Sequence, residues 1–209
     1  ALVRNELVAG AKIRVDKSTT FGDCEGLILL SIVQNGSDLE IIHAYHEWDR
    51  PGFKIDHKAF LTGLLNKFGR SKNRPVKKNV NKYTYLCMDA NVRLGQLQEN
   101  STTEIPRDGE LVTSSWAKHL AQEIDNNDGF IVHGWAGQIG FTFDPETTKK
   151  RVDGRPNGRS IIDYIVTDNL DTIIEASVVE RAAFDIDSDH KALFIRSTCR
   201  LNGGKQSDT

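Results

Sequence analysis

The 209-residue sequence predicts an α/β architecture of packed sheets with helices on the outside. Three observations predict it. Many short apolar segments have strand length, two segments carry a helical period, and the two kinds do not alternate regularly. Length favours one domain, expected over residues 1–201, with a polar and disordered tail over 202–209. Hydrophobic content of 38% and charged content of 27% suit a globular chain.

The elements follow in order. Ala1 to Val3 and Lys12 to Val15 read as short strands. Leu27 to Val33 and Leu39 to Tyr45 are apolar runs flanking Asn35-Gly36, a hairpin signal. Leu27 to Val33 is apolar at consecutive positions, which predicts a central strand covered on both faces. Phe60, Leu64 and Phe68 recur every fourth residue, with Leu61 and Leu65 beside them, so a helix is predicted over 56–68 with Asp56 as its N-cap. A basic loop follows, then a strand from Tyr83 to Met88 that ends abruptly in Asp89-Ala90-Asn91. Trp116, Leu120 and Ile124 mark a second helix over Ser114 to Ile124. Phe130 to Val132, Phe141 to Phe143, Ile161 to Val166, Ile173 to Val179 and Ala192 to Ile195 complete the strands.

Composition excludes some classes. No apolar run is long enough to span a membrane. The opening residues lack a basic leader followed by an apolar stretch, and there is no starting Met, which predicts a segment cut from a longer polypeptide. Cys24, Cys87 and Cys199 are odd in number and lack motif spacing, which argues against a disulfide framework or zinc knuckle. A reducing, intracellular setting (nuclear or cytoplasmic) is the expectation. A net charge of −2 excludes a uniformly basic nucleic-acid binder. Positive charge is uneven, however, with one run from Arg70 to Lys82 and another comprising Lys149, Lys150, Arg151, Arg155 and Arg159. Such runs are either solvated loops or tracks for a phosphate backbone.

The chemistry is expected at strand ends. An unpaired carboxylate inside a buried strand costs several kcal/mol or more, so Asp163 within Ile161-Ile162-Asp163-Tyr164-Ile165-Val166 requires a compensating group. Asp89 and Asn91 follow one strand, and Asp189-His190 precedes another. Each alone has an ordinary explanation as a turn cap or an edge-strand charge.

Together, Asp89-Ala90-Asn91, Ile162-Asp163-Tyr164-Ile165 and Ser188-Asp189-His190, in this order and each beside a strand, resemble the endonuclease/exonuclease/phosphatase superfamily. The strand ending in Tyr45 and the Phe141-Thr142-Phe143 segment resemble two further strands of that family, so the likeness runs over nearly the whole chain. Within it, the layout is most similar to endonuclease domains of non-LTR retrotransposons and to abasic-site endonucleases. Asp89-Ala90-Asn91-Val92-Arg93 also resembles a motif of inositol polyphosphate 5-phosphatases, but those carry Asp-Arg where this chain has Asp163-Tyr164.

The resemblance implies a four-layered α-β-β-α sandwich of two packed mixed sheets, incomplete at its N-terminus. It implies a divalent-metal-dependent phosphodiesterase, a nucleic-acid endonuclease with Mg²⁺ or Mn²⁺ as cofactor and DNA as substrate, and fusion to a reverse transcriptase in the parent chain is a further expectation. His190 with Asp163 would form the pair at the scissile phosphate, and Asp89 would orient or deprotonate the attacking water. Asn91 would hold the phosphate or the water, Tyr45 would contact a phosphate oxygen, and Asp189 would position the metal. Lys149, Lys150, Arg151, Arg155 and Arg159 would meet the nucleic-acid backbone. Two departures stand against activity of the chain alone. The family's N-terminal strands, with an Asn and the main metal-binding Glu, have no counterpart. The Pro-Asn that often follows the family Tyr is replaced by His46-Glu47. The alternatives are a phosphomonoesterase or lipid phosphodiesterase on the same scaffold, or an inactive nucleic-acid-binding relic.

Overall fold

The computed structural model describes residues 12–16, 27–34, 36–46, 56–76, 80–94, 115–132, 142–143, 160–179 and 188–199. Ala1 to Val3, Phe141 and the tail from 202 lie outside the described residues. The strands are β1 (Lys12–Asp16), β2 (Leu27–Gln34), β3 (Ser37–Tyr45), β4 (Asn81–Asp89), β5 (Phe130–Ile131), β6 (Asp163–Thr167), β7 (Ile173–Val179) and β8 (Ala192–Ser197). The helices are α1 (His57–Asn73) and α2 (Ala117–Asn126). A six-stranded sheet runs β1-β2-β3-β4-β6-β5, and β7 pairs with β8 in a second sheet.

The larger sheet is mixed. Among the described residues its one parallel pair is β3–β4, with α1 between them in the chain, and the remaining pairs are antiparallel. β2 and β3 form the expected hairpin, with Gly36 at φ 77, a left-handed backbone that glycine adopts without a Cβ penalty. β2 lies between β1 and β3 as expected of a central strand, although Val33 at its end is 39% exposed.

Side chains alternate along each strand and so divide two cores. Ile42 and Ala44 of β3, Leu86 and Met88 of β4, and Tyr164 and Val166 of β6 meet α1 and α2. Leu39, Tyr85 and Ile165 face the other way and join Ile173 and Ala176 of β7, with Leu193 and Ile195 of β8 against them. The order of layers is therefore helices, large sheet, small sheet. This is an α/β sandwich of two packed sheets. The second sheet is antiparallel over its described strands, and the arrangement is consistent with a four-layered α-β-β-α sandwich.

Asp56 caps α1 as expected, accepting from Ala59 N at 2.9 Å. The helix does not stop at Phe68, so Arg70 and Lys72 lie on it and not in a loop. Polar residues continue a helix wherever one face stays buried, as Gly69 and Ser71 do here. Termination comes at Arg74, which is extended because Pro75 disfavours a helical residue before it. One guanidinium nitrogen of Arg74 then reaches both carboxylate oxygens of the buried Asp38, at 2.8 and 3.0 Å, far along β3 from its carboxyl end. Lys72 pairs with Asp128 at 2.9 Å, so these members of the first basic run are engaged within the protein. α2 begins three residues later than expected, at Ala117. Neither helix is long and apolar enough to cross a membrane.

Cys87 and Cys199 are free thiols, and burial pushes each up to about 11, which leaves them protonated near neutrality. Cys24 lies outside the described residues.

Candidate active site between the two sheets

Three neighbouring strands deliver side chains to one end of the large sheet. Asp89 ends β4 and is the register partner of Asp163, the first residue of β6. Tyr45 ends β3 and is Asp89's partner on the other side. All three positions share the strand parity of Tyr85 and Ile165, so they lie on the face turned toward β7 and β8. His190 arrives from just before β8, pairing through its backbone with Phe143.

The imidazole closes the arrangement. His190 Nδ1 lies 3.1 and 3.0 Å from Asp163 Oδ1 and Oδ2. A carboxylate only accepts, so Nδ1 carries the hydrogen and donates it. The opposite nitrogen, Nε2, lies 3.8 Å from Asp89 Oδ2. Asp163, His190 and Asp89 thus form one compact cluster, with the rings of His190 and Phe143 in a T-shaped contact at a centroid distance of 5.2 Å.

Thr142 joins two parts of this cluster. Its Oγ1 accepts from Ile162 N at 3.1 Å and Asp163 N at 3.2 Å, while its carbonyl accepts from Lys191 N at 2.7 Å. The same buried residue therefore locates Asp163 and the backbone beside His190. Ser188 Oγ accepts from His190 N at 3.1 Å.

Beyond β4 the chain turns sharply. Asn91 has φ 49, a left-handed conformation that Asn tolerates better than most residues. Its backbone N–H donates to Asp89 Oδ1 at 3.0 Å, and its side-chain amide donates to His46 O at 2.7 Å. Tyr164, facing the helices, supports the segment further on. Its hydroxyl sits 2.8 Å from Val92 O and 2.9 Å from Ile161 O, and accepts from Leu94 N at 3.3 Å. Tyr164→Phe strands these groups in the core, so we expect a loss of about 1–3 kcal/mol of unfolding free energy by urea denaturation.

Electrostatics set the two end groups apart. Asp89 is pushed up to about 6, first by burial and then by the charge of Asp163, with His190 and the Asn91 N–H opposing. His190 is raised above the ordinary imidazole value, chiefly by its hydrogen bond to Asp163, against burial. Asp89 and Asp189 add to that rise through their charge.

Asp89, Asp163 and His190 each offer a ligand atom within 4.8 Å of the others. A cation fits the two carboxylates of this set on physical grounds, His190 being engaged as a hydrogen donor to Asp163. Two carboxylates sit side by side on paired strands, and their repulsion helps hold Asp89 high; a divalent cation would relieve it. Asp189 neighbours this group without belonging to it.

Of the residues singled out from sequence, Asp89, Asp163, His190 and Tyr45 share this one face, with Asn91 in the adjoining turn. Tyr45 is 43% exposed. Lys149, Lys150, Arg151, Arg155 and Arg159 lie outside the described residues. Sequence reasoning gave no role to His46, which contacts the turn at Asp89–Asn91. The only signal was its place directly after Tyr45, where the family pattern is broken.

No family model and no curated protein matches the chain. Solved structures do. The chain is similar to the endonuclease domain of TRAS1, a telomere-specific non-LTR retrotransposon, at 17% identity and a TM-score of 0.54, over 90% of this chain and 81% of that one. It is similar to a 3'-5' exonuclease from Neisseria meningitidis at 14% identity and a TM-score of 0.55, over 90% and 70%. It is also similar to an AP endonuclease from Archaeoglobus fulgidus at 16% identity and a TM-score of 0.52, again over 90% and 70%. These likenesses are likenesses of fold.

Proposed function

We propose that this chain, which has the fold of the endonuclease/exonuclease/phosphatase superfamily, is a divalent-metal-dependent phosphodiesterase acting on nucleic acid, most simply as an endonuclease. The observation that carries the reading is the cluster of Asp163, His190 and Asp89, in which the imidazole makes contacts of 3.0 and 3.8 Å to the two carboxylates.

Its chemistry follows from the two shifted groups. Asp163 holds His190 through Nδ1–H, which leaves Nε2–H, on the side of Asp89, to donate to a phosphate oxygen as negative charge builds there. Asp89 can orient an attacking water and, through the carboxylate oxygen that a cation leaves free, take its proton. Tyr45, exposed beside Asp89, supplies a further phenolic donor. Asn91 shapes the turn through His46 O and has a second amide hydrogen for phosphate or water. A divalent ion held by Asp89, with Asp189 nearby, would neutralise charge on the phosphate and lower the proton affinity of bound water. An oxygen-rich set suits Mg²⁺ or Mn²⁺.

Proteins with the same fold are described as an endonuclease domain, an exonuclease and an AP endonuclease, which favours a nucleic-acid substrate. The test is hydrolysis of plasmid DNA, an abasic duplex and a small phosphomonoester, with Mg²⁺ and then with excess chelator. We expect cleavage of a DNA substrate that chelation abolishes and excess Mg²⁺ restores. Cleavage of the monoester alone would overturn the nucleic-acid reading, and no cleavage with any metal would overturn the enzymatic one.

We assign Lys149, Lys150, Arg151, Arg155 and Arg159 to the nucleic-acid backbone. Binding should then weaken with salt, with a log–log slope of about −0.9 per neutralised phosphate on duplex DNA. Replacing Lys149, Lys150 and Arg151 together by Ser should flatten that slope, as read by fluorescence anisotropy over a salt series. A slope the triple variant leaves unchanged removes the assignment.

A further inference from the structure

The segment after Tyr45 contains a buried histidine pair that the proposed reaction does not use. His46 is 2% exposed and His57, the first residue of α1, is 6% exposed. His46 touches each of the three residues of the Asp89-Ala90-Asn91 turn through a different group. Its backbone N donates to Asp89 O at 2.8 Å, its ring Nδ1 lies 2.6 Å from Ala90 O, and its carbonyl accepts from Asn91 Nδ2 at 2.7 Å. The ring is stacked on Phe60 at 4.9 Å and 9°. Its other nitrogen, Nε2, lies 2.8 Å from His57 Nδ1, and His57 in turn stacks on Trp116 at 5.2 Å.

Hydrogen bookkeeping fixes the pair. The carbonyl of Ala90 can only accept, so His46 Nδ1 carries a hydrogen. With one hydrogen on each ring, His46 Nε2 is an acceptor and His57 Nδ1 must be its donor. The tautomer of one ring thereby determines that of the other. The chain behind Asp89 is thus tied to α1 and, through Trp116, to the start of α2. Without such ties the left-handed Asn91 would be free to relax.

We propose that His46 is the positioning residue for Asp89, clamping the Asp89–Asn91 turn, and that His57 is its orienting partner, holding the His46 tautomer that makes the clamp. Its catalytic consequence rests on the reading of Asp89 given above; the clamp itself does not. Neither histidine touches the reacting atoms.

The test separates geometry from mere packing. His46→Asn keeps an N–H donor close to the position of Nδ1, His46→Gln carries its donor one bond further out, and His46→Leu has none. His57→Phe keeps the ring on Trp116 and removes the donor. In the 209-residue chain, amide exchange at Asn91 should quicken about tenfold or more in His46→Leu and His46→Gln, and stay near the unmodified rate in His46→Asn. With Mg²⁺ and a DNA substrate, kcat should fall by about tenfold to a hundredfold in the same two variants with KM nearly constant, and recover in His46→Asn. Nitrogen-15 imidazole spectra should show both rings protonated at Nδ1, and His57→Phe should change the His46 pattern. Equal behaviour of the Asn and Gln variants, or an Nε2-protonated His46, would overturn the clamp. If His46→Leu does not fold, the Asn–Gln comparison decides alone. If the unmodified protein cleaves no phosphodiester, the functional reading fails while exchange and imidazole spectra still judge the clamp.

Discussion

Asp163→Asn is expected to lower kcat for DNA hydrolysis by about 10³- to 10⁴-fold, as loss of the orienting carboxylate does in other His–Asp pairs. Both Asp163 oxygens lie within 3.1 Å of His190 Nδ1, and this contact is the main cause of the raised imidazole value. An Asn amide that turns its own N–H toward Nδ1 forces the hydrogen to Nε2 only when the ring is neutral, and no longer favours the charged ring. The donor aimed at the phosphate is then neutral and weaker. Thr142 Oγ1 grips the backbone of residue 163, not its side chain, so the strand should keep its place. Steady-state kinetics with circular dichroism check both halves. A sign follows for stability. A histidine whose folded value is raised adds stability at pH below its unfolded value, and loses it as pH rises through the folded value. Asp163→Asn should therefore cost stability at pH 5 and little at pH 9.

Asp89→Asn should have a comparable effect on rate and the opposite effect on stability. With Asp89 in its proposed role of taking the water proton, the change should lower kcat by about 10²- to 10⁴-fold. The Asn oxygen can still accept from Asn91 N, so the turn keeps that bond. Asp89 is raised to about 6 by burial and by Asp163, so ionising it costs more in the folded protein than in the unfolded chain. That penalty is absent below about pH 4, where both forms are protonated, and is complete above about 6. Asp89→Asn should accordingly be more stable than the unmodified protein at pH 8, and the gain should vanish on acidification to pH 4. Urea unfolding at the two pH values reads it directly. A variant that loses activity and gains stability marks a residue kept for function against the interest of the fold.

Much of the site was legible in the sequence because strand ends are conspicuous. Apolar runs that stop at Asp89, contain Asp163 or follow Asp189-His190 violate the usual pattern of buried strands, and a violation needs a partner. The hairpin, both helical faces and the last two strands were equally plain. What was not legible depends on pairings distant in sequence. The clamp made by His46 exists only because β3 and β4 run parallel in register, bringing Tyr45 beside Asp89. Tyr164 reads as one more apolar residue until its hydroxyl meets Val92 O. The end of α1 was misplaced by five residues for a local reason: Gly69 and the charges after it resemble a loop, whereas Pro75 is what stops the helix. The small sheet reads as two ordinary strands; which face of the large sheet it covers follows from the parity of Leu39, Tyr85 and Ile165.

The central claim is that Asp163 and His190 act as one catalytic unit. The most direct measurement is a double-mutant cycle on kcat for Mg²⁺-dependent DNA cleavage, comparing Asp163→Asn, His190→Ala and the two combined. The account predicts that the double variant is no slower than His190→Ala alone, since Asp163 works only through the imidazole. Losses that multiply would contradict it.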